Sequence, residues 1–283
     1  MVNLCSVLVG TLVFSALSAM AAEDWTNTKD LKKVKHIVLF MQENRAFDHY
    51  FGTMAGVRGF QDPNVHVSEN TGKDVFHQPV DQSILAPKPP KDVHYLKPFY
   101  LNWAGGDWKE KTQCMLAGLN DWIFNHAAYD KGQIDRWALR NSAYSVGYFK
   151  EDDIPIQWKL ADSFTVGDMY YESIIAMTIP NRVAFFTGTI NPREGSNVPG
   201  SNEEMGGPVL DNVLIDGCRN FGAGPVTCYP LKWKTVPEHL QDAGISWQVY
   251  QDQDNFGDDA LSYFQQYQDS AKNKGELARR GTS

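Results

Sequence analysis

Residues 34–41 (VKHIVLFM) form a short apolar run rich in strand formers, and it stops at the polar Gln42, Glu43, Asn44 and Arg45. This pattern predicts a buried strand that delivers polar groups at its C-terminal end. In open α/β sheets that end is where ligands bind, so Glu43 and Asn44 are candidate metal or substrate ligands. The alternative is a loop in which the two residues cap a following turn over Phe47–Phe51.

Residues 60–100 carry six prolines and no strong period, which predicts a long surface excursion, an insertion or lid with short hairpins. Over residues 118–137 apolar positions return at helical spacing and place His126 four residues after Trp122 on one face. A histidine so placed either packs through a hydrogen bond or serves a ligand. Residues 154–161 read as a second short helix, followed by a strand-like Phe164, Thr165 and Val166.

Pro180 suits the first turn of a helix, which puts Thr178 close to backbone N–H groups at a helix start. The Thr178 hydroxyl is then either a plain N-cap or a nucleophile whose attack places phosphoryl oxygens on those donors. Residues 236–244 read as a helix with a glycine stop and residues 245–250 as a strand. A helix-to-strand succession of this kind predicts an α/β fold with a parallel sheet.

The chain has 283 residues, 42% hydrophobic and 21% charged, and a formal charge of −8. That composition allows a real core and disfavours nucleic acid as a partner, since no basic stripe interleaves with aromatics. Residues 4–20 are apolar and uncharged and end at Ala19-Met20-Ala21, so residues 1–21 are expected to be a secretory signal peptide, with a short uncleaved anchor as the alternative. No second run of span length follows. Cys218 and Cys228 flank a glycine-containing loop and are expected to pair as a disulfide in an oxidising compartment, which leaves Cys114 over.

Several strings together are similar to one family. KHIVLFMQENRAFDHYFGTMAGVRGF at residues 35–60 resembles the opening signature of the phosphoesterase family that contains phospholipases C and a class of acid phosphatases. TIPNRVAFFTGT at residues 178–189 resembles its nucleophile segment. NHAAYDKGQIDRW, LADSFTVGDMYYES and SWQVYQDQDNF extend the likeness over most of the chain, and the wording is most similar to fungal extracellular members.

The resemblance implies an alkaline-phosphatase-like three-layer α/β/α sandwich, with Glu43 and Asn44 on a divalent metal (Mg, Ca, Mn or Zn) and Thr178 as the nucleophile. Many bacterial members show H-x-W-x-x-x-H where this chain has Asn120, Trp122 and His126, which implies substrate-phosphate binding for His126 and, more weakly, for Asn120. A later family segment, D-E-x-G-G-x-x-D-H-V, has no counterpart here. Residues 22–283 are therefore expected to be the N-terminal part of a catalytic domain, inactive and poorly stable alone. The function implied is a secreted phosphoesterase, phospholipase C-like toward phospholipids. The alternatives are an acid phosphatase of soluble monoesters and a non-catalytic binding protein on the same fold.

Overall fold

A computed structural model describes residues 31–81, 91–101, 122–141, 143–190, 230–252, 254 and 257–282. The chain divides into two units, Met1–Asn44 and Arg45–Ser283, and each is described by itself.

In the first unit a single 3₁₀ turn at Leu31–Lys33 leads into residues 34–44, which carry no strand. The apolar side chains expected inside a sheet are exposed, Val38 at 86% and Phe40 at 83%. The expected buried strand is thus not formed. A strand exists only through its ladder partners, and among the described residues none pairs with this run.

The second unit is mixed α/β, with helices dominant and strands of two residues each among the described residues. Helix α1 (Phe47–Phe51) begins after Ala46, whose side chain makes no cap hydrogen bond. It lies against strand β4 (Gly147–Tyr148), because the His49 carbonyl accepts the Phe149 N–H at 2.8 Å. Strand β3 (Phe99–Tyr100) pairs with β4 in parallel. Helix α4 (Pro155–Ser163) joins this group where the Trp158 indole donates to the Tyr50 carbonyl at 3.0 Å.

The proline-rich excursion carries an antiparallel pair, β1 (Gln78–Pro79) with β2 (Tyr95–Leu96). It docks through Gln78, whose buried carboxamide donates to Val75 and Ile134 carbonyls and accepts the Trp137 N–H. Every polar group of that side chain is used, which makes its burial tolerable. Across this contact the helical pattern expected over residues 118–137 is split. Helix α2 (Trp122–Tyr129) and helix α3 (Trp137–Arg140) are separated by a turn in which Asp130, Lys131, Gly132 and Ile134 all have positive φ.

The main core gathers around helix α5 (Thr178–Thr187). Ile179 and Val183, four residues apart on one face, pack with Ala184 against Leu231, Ala260, Leu261, Phe264 and Tyr267. Gly188, at φ 73°, closes the helix by donating to the Ala184 carbonyl. Helix α6 (Val236–Asp242) starts where the Glu238 carboxylate accepts both the N–H and the hydroxyl of Thr235. Helices α7 (Gln265–Lys272) and α8 (Glu276–Gly281) complete this side.

The strands expected at 164–166 and 245–250 are not formed among the described residues, and Phe164 is exposed. The second instead meets the end of α8, the Val249 N–H donating to the Arg280 carbonyl at 2.9 Å. Apolar content supplied strand propensity in both places; among the described residues no neighbouring ladder uses it.

Candidate functional site

Thr178 is the first residue of α5, and Met177, not Thr178, occupies the cap position. The Met177 side chain makes no cap hydrogen bond, and Thr178, already inside the helix, does not hold the N-cap position. Pro180 sits in the first turn, as the pattern predicts. The half-buried Thr178 therefore stands at the positive end of a ten-residue helix whose first-turn donors the helix itself does not use.

Two side chains on the next turn hold this start in place. The Asn181 carboxamide oxygen accepts the Ile174 N–H at 3.0 Å. Its nitrogen faces the carbonyls of Ile174, Ala176 and Met177 at 3.0, 3.3 and 3.0 Å. Arg182 donates to the Asp258 carbonyl at 3.0 Å and lies 3.6 Å from its carboxylate.

Asp258 opens a short segment with a carboxylate of its own. Asp259 accepts the Leu261 N–H at 3.1 Å and caps the 3₁₀ turn Ala260–Tyr263, which packs on α5. Burial pushes its pKa up to about 6, partly opposed by the Leu261 N–H and the Gln251 amide.

Near the unit boundary, on α1, stands a second perturbed pair. Burial raises Asp48 to about 6. Burial lowers His49 to about 4, opposed by its contact with the Gly147 carbonyl and assisted by the charge of Arg45. His49 Nδ1 lies 2.7 Å from that carbonyl, so Nδ1 carries the proton and donates. Its Nε2 is buried without a hydrogen bond among the described residues.

Glu43 and Asn44 are exposed and belong to the first unit, whereas Thr178 and His126 belong to the second. As donors, one carboxylate and one amide carbonyl fit a hard divalent ion but supply only one negative charge. Among the described residues no group of three or more His, Cys, Asp or Glu side chains could complete such a site. His126 is half-buried on α2, which packs with α3. Asn120, Cys114, Cys218, Cys228 and residues 1–21 lie outside the described residues.

Sequence reasoning missed Asn181, Arg182, Asp258 and Asp259 as supports of Thr178. The signal for the first two was their place after Pro180 in the TIPNR string that resembles the family's nucleophile segment.

The model of the phosphoesterase family matches residues 34–281. The non-hemolytic phospholipase C of Burkholderia pseudomallei is 36% identical over 285 aligned residues, covering 94% of this chain and 35% of the relative. The non-hemolytic phospholipase C of Pseudomonas aeruginosa is 36% identical over 268 residues, covering 94% and 34%. Phospholipase C A of Mycobacterium tuberculosis is 33% identical over 229 residues, covering 78% and 38%. The chain thus spans little more than a third of the length of these relatives.

Proposed function

Since the chain belongs to the phosphoesterase family, we propose that it carries the nucleophile-bearing part of a secreted phosphoric ester hydrolase of the phospholipase C type. The observation that carries the reading is Thr178: a half-buried hydroxyl opening a helix that Ile179, Val183 and Ala184 anchor in the core.

In this mechanism Thr178 Oγ1 attacks the phosphorus of a phospholipid and gives up its proton. The bond from phosphorus to the diacylglycerol oxygen breaks, and that alkoxide takes a proton as it leaves. Water then attacks the phosphothreonine and releases the phosphorylated head group, restoring the hydroxyl. Backbone donors at the start of α5 stabilise the phosphoryl oxygens as charge develops. His126, and Asn120 with it, contributes to holding the phosphate. Glu43 and Asn44 would hold a divalent ion, a group whose chemistry is Lewis-acid activation of an attacking oxygen and neutralisation of phosphoryl charge.

The family's three-layer sandwich, a leader at residues 1–21 and a Cys218–Cys228 disulfide belong to the same reading. Among the described residues no helix is long and apolar enough to cross a membrane.

The test is a substrate panel, phosphatidylcholine micelles against p-nitrophenyl phosphate, run on wild type and Thr178→Ala. Head-group release that falls about a thousandfold or more in the variant supports the reading. Cleavage of the monoester with intact micelles would make the protein a phosphatase. Equal turnover in both proteins would remove Thr178 as nucleophile.

A further inference from the structure

We infer that Asn181 is a positioning residue for Thr178, a clasp that sets where α5 begins and hence where the attacking hydroxyl stands. The inference rests on the reading of Thr178 as nucleophile.

The geometry is unusually determined for one side chain. Asn181 Oδ1 accepts the Ile174 N–H, while Nδ2 sits within 3.0–3.3 Å of three carbonyls, those of Ile174, Ala176 and Met177. The opposite amide orientation would set an oxygen against three carbonyl oxygens and a nitrogen against an N–H, so only one assignment is chemically consistent. The three residues clasped lie in the four-residue stretch 174–177 that leads directly into Thr178 and forms no strand or helix of its own. Beside the Ala176 N–H bond to the Ile174 carbonyl and the burial of Ala176, this amide ties the irregular stretch to the helix itself.

On the opposite side α5 is already rigid. Ile179 and Val183 are buried in the core, and Arg182 is tied to Asp258. One turn of helix therefore has its core face and its Arg182 anchored independently of Asn181, and the clasp governs only the approach to Thr178. A helix start that shifts by a fraction of a turn would carry the hydroxyl out of line with the phosphorus and its backbone donors, and displacements of about 1 Å are enough to lose about a hundredfold in rate.

The experiment uses the full-length protein and four variants, N181A, N181D, T187V and T178A. Thr187 lies at the other end of the same helix, where its hydroxyl bonds to the Val183 and Thr189 carbonyls, and serves as the control for general loosening of α5. Amide exchange followed by mass spectrometry reads the Ile174 N–H directly, and steady-state kinetics separates kcat from KM.

N181A is expected to speed exchange in residues 174–177 about tenfold or more and to lower kcat about tenfold to a hundredfold, with KM within about twofold. N181D keeps the acceptor for Ile174 but faces three carbonyls with a carboxylate. Its kcat relative to wild type should recover as pH falls and the carboxyl regains a proton to donate. T187V, with comparable loss of Tm, should keep kcat.

Unchanged exchange in N181A, or kcat losses no greater than those of T187V, would overturn the clasp as a positioning device. Should T178A keep normal turnover, the nucleophile reading fails instead, and the exchange result still reports whether the clasp exists.

Discussion

His49 offers a stability test whose size follows from the structure. The imidazole is 7% exposed, donates from Nδ1 to the Gly147 carbonyl at 2.7 Å and meets Phe149 edge-on at 4.8 Å between ring centroids. Its pKa falls from 6.5 to about 4 on folding. The unfolded chain therefore takes up a proton below pH 6.5 that the folded chain refuses until about pH 4. Stability from this group is full above pH 6.5, declines as pH falls and levels off below 4. At pH 5 the two pKa values correspond to a loss of about 2 kcal/mol, or about 1–2 kcal/mol after allowance for partial solvent screening.

His49→Asn keeps an N–H for Gly147 where Nδ1 stood but cannot titrate. At pH 7 it should be less stable than wild type by about 1–3 kcal/mol, from lost ring packing. Between pH 7 and pH 5 that deficit should shrink by about 1–2 kcal/mol, because only wild type suffers the proton penalty. Asp48 and Asp259, both raised to about 6, act in the opposite sense, gaining stability as pH falls, but they are present in both proteins. Urea melts of the two proteins at pH 7 and pH 5 supply the four free energies needed. A deficit that stays constant between the two pH values would show that the ring is not the buried neutral base described here.

Glu43→Gln combined with Asn44→Ala should lower bound divalent metal at least tenfold in a folded protein, since one carboxylate and one carbonyl ligand are lost; metal analysis after gel filtration checks it, and equal metal content would refute the ligand assignment. Gly59→Ala should destabilise by about 1–3 kcal/mol, because the added methyl would come within 2.5 Å of the Gly52 backbone carbonyl; a thermal melt matching wild type would show that the two chain segments separate freely.

Local structure with a local cause was legible in the sequence. Helix α5 follows from Pro180 near its start and Gly188 at its end, and α6 from Thr235, Glu238 and Gly244, because caps and turn residues act within a few positions. Family membership was equally legible, since it rests on strings of residues and not on their arrangement. Strands were not: residues 34–41, 164–166 and 245–250 have the composition of strands, yet pairing requires a partner that composition cannot name. The break between α2 and α3 escaped periodicity because it is made by positive φ angles at Asp130, Lys131, Gly132 and Ile134, of which only Gly132 is a residue type that announces one. The Asn181 clasp spans only four to seven positions, whereas other contacts belong to the tertiary structure alone. Asp258 reaches Arg182 across 76 positions of chain, and Gln78 reaches Trp137 across 59. The lowered His49 and raised Asp259 arise from burial, a property of what packs around a side chain and not of its neighbours in sequence.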